Sequence, residues 1–112
     1  MAKIKTFVLN PFQENTYIIY DDTKESIIVD AGCYTKDEQN AIVSFIEENN
    51  LTLKLMVSTH GHVDHILGNA FIKSKYNVDF AANPEDAQLI QSASTHAISY
   101  GFTIEDVPPI DI

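Results

Sequence analysis

The sequence predicts an α/β fold in which a mostly antiparallel sheet of about five strands carries helices on one face. Three short strand patterns joined by polar turns occupy the first 30 residues, which is typical of an antiparallel meander. Amphipathic helical patterns then alternate with short apolar segments, as they do in β-α-β units. With 45% apolar and 21% charged residues, the 112-residue chain is expected to form one globular domain at most.

The first three strands are identified by their alternation and by the polar residues that interrupt it. Lys3–Leu9 alternates, so that Ile4, Thr6 and Val8 share one side of the strand. Two more strands are predicted at Tyr17–Tyr20 and Ser26–Val29.

Three helices and two further strands are predicted in the rest of the chain. Thr35 and Glu38 form a capping box, in which the threonine accepts from a backbone N–H and the glutamate reaches back to the cap. The helix that they open should bury one apolar stripe, made of Ala41, Ile42, Phe45 and Ile46. After it we predict a buried strand at Leu53–Val57, a helix from about His65 to Tyr76, a strand at Val78–Ala82 and a helix starting at Asn83–Asp86.

The histidine segment, His60–His65, follows Thr59 and the fourth predicted strand and contains three of the four histidines. Imidazole and carboxylate are the ligand types that hold Zn²⁺ and similar ions. His60 and His62 are two residues apart, so on extended backbone both rings point to the same side. Asp64 and His65 come where the pattern turns helical, and they would project from a helix N-terminus. The segment therefore predicts a metal site.

Two simpler interpretations compete with this metal site. The histidines could form a solvated, tag-like tract, and Asp64 could serve only as a helix N-cap. The position directly after a buried strand, with the small spacers Gly61 and Val63, favours the metal site.

The segment Thr-His-Gly-His-Val-Asp-His at residues 59–65 resembles the signature of the metallo-β-lactamase-fold superfamily. Two earlier segments, Asn10–Tyr17 and Ile27–Gly32, are similar to those of its glyoxalase II-like (hydroxyacylglutathione hydrolase-like) thioesterases. The resemblance runs from about residue 4 to the end and covers the amino-terminal half of that family's domain. It implies that residues 1–112 form a single partial domain, one half of a four-layered αββα sandwich.

The resemblance also implies roles for residues of the histidine segment. His60 and His62 would bind one metal ion. Asp64 and His65 would bind a second, and Asp64 would also take part in catalysis by orienting the reacting water. Two zinc ions are implied for a complete site, with iron or manganese as alternatives. The family's other ligands lie farther along its domain, so this chain is expected to bind metal weakly or not at all. His96 does not match the family's third-ligand motif and is expected to be a surface or helix-face residue.

For the parent protein, the resemblance implies a metal-dependent hydrolase that cleaves small-molecule thioesters, such as acyl-glutathione-like ones, by metal-activated water. A lactonase or a mononuclear iron persulfide dioxygenase would be other activities of the superfamily. A hypothesis of a different class makes this chain a non-catalytic truncated half-domain with weak metal binding. The 112-residue chain alone is expected to be inactive.

Asp30 and Cys33 follow the third predicted strand, and each has two interpretations. Asp30 could stiffen the ligand loop by orienting a neighbouring group, or it could form an Asx turn at the strand end. Cys33 could be a nucleophile, but it has no cationic neighbour in sequence to lower its pKa, which favours a structural thiol.

We interpret Asn15–Tyr17 as structural. Gly61 is expected to permit tight backbone between ligands, and Gly68 to allow close packing of a helix on a strand.

A net charge of −9, with seven lysines and no arginine, argues against a nucleic-acid-binding surface. No apolar run approaches the roughly 18 residues of a membrane span, and no signal-peptide pattern precedes the first strand. With Cys33 as the only cysteine, these features favour the cytoplasm.

The inner face of a lone half-domain's sheet would be bare and apolar, which predicts a homodimer or higher oligomer formed through that face.

Overall fold

Five strands and two helices are present in the part of the chain that the computed structural model describes, namely residues 2–10, 13–59, 68–82, 90 and 111. In chain order they are β1 (Lys3–Leu9), β2 (Glu14–Tyr20), β3 (Glu25–Val29), α1 (Lys36–Glu48), β4 (Thr52–Val57), α2 (Asn69–Tyr76) and β5 (Asp79–Ala81). Neither α1 nor α2 has the length and the apolar run that a membrane crossing needs. The helix predicted to start at Asn83–Asp86 lies outside the described residues.

The strands form one sheet in the order β1-β2-β3-β4-β5. β1, β2 and β3 follow one another through short connections and pair antiparallel. β3 pairs parallel with β4, and β4 with β5, because each crossover contains a helix that returns the chain to the same end of the sheet. The predicted α/β half-sandwich is confirmed. Its sheet is mixed: the meander contributes two antiparallel strand pairs, and the two β-α-β units contribute two parallel pairs.

A row of four fully buried side chains crosses the sheet and forms the centre of the core. These register partners are Ile18, Ile28, Met56 and Phe80. The crossovers through α1 and α2 step in the same direction along the sheet, and right-handed crossovers therefore place both helices on one face. Ile42 and Ile46 of α1 and Ile72 of α2 belong to the same core cluster as the row. The helices thus cover one face of the sheet, as the sequence predicts.

α1 begins at the predicted capping box. The Thr35 hydroxyl accepts from the Glu38 N–H, and the Glu38 carboxylate accepts from the Thr35 N–H, each at 3.2 Å. The same carboxylate accepts from the N–H groups of Tyr34 (2.8 Å) and Asn10 (2.6 Å). Glu38 therefore ties the start of α1 to the residue that follows β1 as well as to its own cap.

The buried stripe of α1 is narrower than predicted. Ile42 and Ile46 are buried, whereas Ala41 is exposed because it faces away from the sheet. Phe45 is partly covered at the edge of the core. Its ring meets the rings of Phe7 and Tyr20 edge to face, with centroids 5.8 Å and 5.6 Å apart. Phe45 thus extends the contact of α1 to β1 and β2.

Two elements begin elsewhere than the sequence predicts. β2 starts at Glu14 rather than at Tyr17, because its antiparallel pairing with β1 extends to Glu14. The residues added to the strand are polar, so the apolar pattern of the sequence does not indicate them. α2 starts at Asn69 rather than near His65, with Gly68 at its N-cap. Glycine carries no side chain that could signal a cap, so the sequence gives little indication of this helix start.

Asp111 is bound at the edge of β5. Its N–H donates to the Phe80 carbonyl (2.8 Å), and its carboxylate accepts from the Phe80 N–H (2.9 Å) and from the Lys73 ammonium of α2. The hydrogen bond from Lys73, followed by that from Phe80, lowers the pKa of the Asp111 carboxyl. Because the pKa is lowered in the folded state, this tie between α2 and the sheet edge is present at neutral pH and is lost as the pH falls.

The second face of the sheet, which we call the open face, carries neither α1 nor α2. Register places apolar side chains from all five strands on it, namely Ile4, Val8, Tyr17, Ile19, Ile27, Val29, Leu55, Val57 and Ala81. Ile4 and Val8 are 64% and 63% exposed, respectively. A contiguous apolar face of this kind is typical of a contact surface. Association through it stays a prediction.

Replacing Glu38 by Gln should destabilise the fold by about 2–3 kcal/mol, because an amide group would face one of the backbone N–H donors that the carboxylate now accepts. Asp37→Asn changes the same charge in the same helical turn and should lower the free energy of unfolding by only about 0.5 kcal/mol. Urea unfolding of both variants measures the difference. Equal losses would mean that the carboxylate acts only through the helix dipole.

Association through the open face predicts a dimer or higher oligomer in sedimentation at high micromolar concentration. Ile4→Lys should shift the chain toward monomer, because the new charge would have to be desolvated at the contact. Ala41→Lys adds the same charge on the exposed side of α1 and should leave the association unchanged. A folded wild-type monomer at all concentrations would contradict the prediction.

Candidate metal centre

The four residues predicted to bind metal, His60, His62, Asp64 and His65, lie outside the described residues, as do Gly61 and His96. Their roles therefore stay predictions. The structure describes the residues that flank this part of the chain, Thr59 after β4 and Gly68 before α2. Both flanking residues are bonded to residues 30–33, which follow β3 and which we call the 30–33 connection.

Asp30 binds Thr59, the residue directly before His60. Its two carboxylate oxygens accept from the N–H and from the hydroxyl of Thr59, each at 2.7 Å. The two residues meet because β3 and β4 are parallel, which brings both carboxyl ends to the same edge of the sheet. Asp30 is only 3% exposed, so water competes little for these bonds. Of the two interpretations of Asp30, this geometry supports the one in which it stiffens the ligand loop.

Gly68 packs against the same 30–33 connection. Its N–H donates to the carbonyl of Ala31 at 2.7 Å. A Cβ at position 68 would lie 2.4 Å from the Cys33 sulfur, 2.9 Å from the Cys33 carbonyl oxygen and 3.0 Å from the Ala31 carbonyl oxygen. Backbone oxygens cannot rotate away, so the close approach requires glycine. Close packing at Gly68 was predicted against a strand, and the structure shows it against the connection that follows β3.

Cys33 is a fully buried thiol. Burial, with a smaller contribution from the nearby Glu38 and Glu14 carboxylates, raises the pKa of the Cys33 thiol to about 12. The thiol is therefore protonated at neutral pH and is neither a nucleophile nor a ready metal ligand. This environment supports the interpretation of Cys33 as a structural residue.

Among the described residues, no group of three or more His, Cys, Asp or Glu side chains forms a cluster that could hold a metal ion. An open depression of about 260 Å³ lies near the β2–β3 turn and is lined by residues that include Tyr20, Glu25 and Lys54. That depression is at the opposite end of β3 and β4 from Asp30 and Thr59. The depression therefore does not involve Asp30 or Thr59.

Asp30→Ala should destabilise the fold by about 2–4 kcal/mol, because Thr59 loses a charged acceptor and alanine is strained at the positive φ of 56°. Asp30→Asn tolerates this backbone and retains one acceptor oxygen, so about 1 kcal/mol is expected. The exposed Asp79→Ala is the control and should change the free energy of unfolding by less than about 0.5 kcal/mol. Urea unfolding gives all three values. Equal losses for Ala and Asn at position 30 would contradict the backbone argument.

Solved structures share this fold. The chain superposes on the BLEG-1 B3 metallo-beta-lactamase with a TM-score of 0.79 and 23% identity, over 97% of this chain and 51% of the other. It superposes on TTHA1623 in a di-iron-bound form with a TM-score of 0.80 and 23% identity, over 96% of this chain and 52% of the other. Similarity at this identity concerns the fold alone.

The sequence itself is similar to hydroxyacylglutathione hydrolase GloC of Haemophilus influenzae, with 32% identity over 99 residues. The match covers 88% of this chain and 45% of the relative, so the chain spans less than half of that relative's length. The family model of the metallo-beta-lactamase superfamily matches residues 9–94, a range that includes the histidine segment and both of its flanking residues. This chain belongs to the metallo-β-lactamase superfamily.

Proposed function

We propose that this chain supplies the metal-binding half of a metal-dependent hydrolase that cleaves small-molecule thioesters, with acyl-glutathione-like compounds as the substrate class. The observation that carries the proposal is the anchoring of the histidine segment. Asp30 binds Thr59 on one side of it, and Ala31 binds Gly68 on the other, so that consecutive residues hold both ends. The relative named hydroxyacylglutathione hydrolase supports the substrate class.

The donor set of the histidine segment fits zinc. Neutral imidazoles from His60, His62 and His65 and the carboxylate of Asp64 are ligand types that zinc accepts, and the di-iron form of one structural neighbour supports iron as the alternative. Metal ions held by these four residues would lower the pKa of a water molecule toward about 7 and so would supply hydroxide at neutral pH. We propose that Asp64 also orients this water.

The described residues contribute rigidity to this chemistry. Asp30 fixes Thr59, and Gly68 fixes the start of α2, so the segment between them is held at both ends against a buried connection. Partners of this kind, one step removed from the ligands, orient metal sites, and losing one lowers metal affinity by about 10–100-fold. Cys33, the last residue of the 30–33 connection, is a buried and protonated thiol and does not compete for metal.

The charge of the chain narrows the substrate class. A net charge of −9 and the lack of arginine argue against binding of a nucleic-acid backbone, and an anionic group on a small substrate would be held by lysine, backbone or metal. We propose a cytoplasmic location. The single cysteine, Cys33, is buried and is not in a disulfide, which supports this location.

A second candidate is a non-catalytic half-domain that binds metal weakly. The observation that favours it is the share of the relative that the chain spans, 45%, because the family's remaining ligands are expected in the other part. A lactonase or a persulfide dioxygenase would use the same fold with other substrates. Thioester turnover distinguishes these candidates from the leading one.

Calorimetric titration of this chain with Zn²⁺ should give weak binding, micromolar or weaker, because four ligands divided between two metal sites leave each ion under-coordinated. His62→Ala should weaken it further by at least about tenfold. His96→Ala removes the same side chain from outside the segment and should leave the affinity unchanged. Two sites with nanomolar affinity in the wild-type chain, or equal losses in both variants, would contradict this assignment.

Turnover should be measured with an acyl-glutathione thioester, on this chain and on a hybrid in which it replaces the matching half of the Haemophilus influenzae relative. No turnover is expected from the chain alone. The hybrid should be active and should lose activity in His62→Ala but not in His96→Ala. A folded, zinc-loaded hybrid without thioester turnover would favour one of the other activities.

A further inference from the structure

Thr16 of β2 is a fully buried hydroxyl residue in contact with the 30–33 connection. Its hydroxyl oxygen lies 2.7 Å from the Asp30 carbonyl oxygen, to which it donates, and accepts from the Gly32 N–H at 3.1 Å. The Glu14 carboxylate, 2.9 Å away, is a second acceptor for the same proton. The hydroxyl thereby joins the two peptide groups on either side of Ala31.

The backbone that this hydroxyl holds is unusual. Asp30 has a positive φ of 56°, in the left-handed region that side-chain-bearing residues rarely adopt. Such a conformation persists only where neighbouring contacts over-determine it. On one side the Asp30 N–H donates to the Val57 carbonyl at 2.8 Å, which continues the ladder with β4. On the other side Thr16 fixes the Asp30 carbonyl and the Gly32 N–H.

The conformation of Asp30 decides where its carboxylate points. Both of its oxygens are bonded to Thr59, so a change at the Asp30 backbone would move the carboxylate away from the residue that precedes His60. The bonds form a continuous path from the Thr16 hydroxyl, through the Asp30 backbone and carboxylate, to Thr59. The path begins in β2 and passes through the residue that follows β3 to a residue just beyond the end of β4.

We propose that Thr16 is a positioning residue for the metal centre, because its hydroxyl sets the left-handed backbone of Asp30 and thereby fixes Thr59 at the entry to the histidine segment. The role at a metal centre rests on the proposed function. The fixing of Thr59 does not, and it can be measured without metal.

Amide hydrogen exchange, followed by NMR on the whole chain without metal, tests the proposal. Thr16→Val removes the hydroxyl at nearly constant volume, and it should speed exchange of the Thr59 amide by about tenfold or more, beyond any change at the core amides of Ile28 and Met56. Thr16→Ser keeps the hydroxyl and should restore slow exchange at Thr59. Thr52→Val, a hydroxyl removal at an exposed site on β4, is the matched control and should leave the Thr59 amide unchanged.

Two results would overturn the proposal. One is an equal increase at Thr59 and at the core amides in Thr16→Val, which would mean that the hydroxyl only stabilises the sheet. The other is an unprotected Gly32 or Thr59 amide in the wild-type chain, a measurement that is decisive even if Thr16→Val does not fold. Zinc titration of the same samples tests the proposed function separately. If the wild-type chain binds zinc, Thr16→Val should weaken it by about tenfold, and no weakening would also overturn the positioning role.

Discussion

The ends of the histidine segment are held by neighbouring residues, one through the Asp30 side chain and the other through the Ala31 carbonyl. Eight residues, 60–67, connect these two anchors. Fixed ends lower the entropy cost of ordering the residues between them, which would favour the proposed metal binding. The anchors exist because β3 and β4 run parallel and end at one edge, so the topology of the sheet is what brings them together.

Three polar side chains around the anchors are bound to specific partners within an apolar surrounding. Asp30, Glu38 and Thr16 each accept from or donate to backbone groups, and all three bond to the connection between β3 and α1 or to residues beside it. A buried polar network of this kind specifies one arrangement, because losing any member leaves a donor or an acceptor without its partner. Cys33 fills the space beneath the network as a neutral thiol and adds no charge of its own.

Local sequence patterns predict those features that neighbouring residues determine, such as a helix cap or the two faces of a strand. The capping box of α1 is formed by Thr35 and Glu38, which are three positions apart, and the alternation of β1 assigns its two faces correctly. The pairing of Asp30 with Thr59 joins residues 29 positions apart, so it depends on which strands become neighbours. The sequence around Thr16 indicates only a strand residue, because it does not reveal that the Asp30 carbonyl lies next to the Thr16 hydroxyl.

The two ends of the sheet differ in the residues that they carry. Asp30 and Thr59 occupy the carboxyl ends of β3 and β4, while the exposed β2–β3 turn, with Lys24 at a φ of 71°, lies at the opposite end. Nothing in the bond path from Thr16 to Thr59 passes through that turn. Length changes there can accumulate during divergence without disturbing the anchors, and the same turn is a suitable place to insert a reporter peptide or a spectroscopic label.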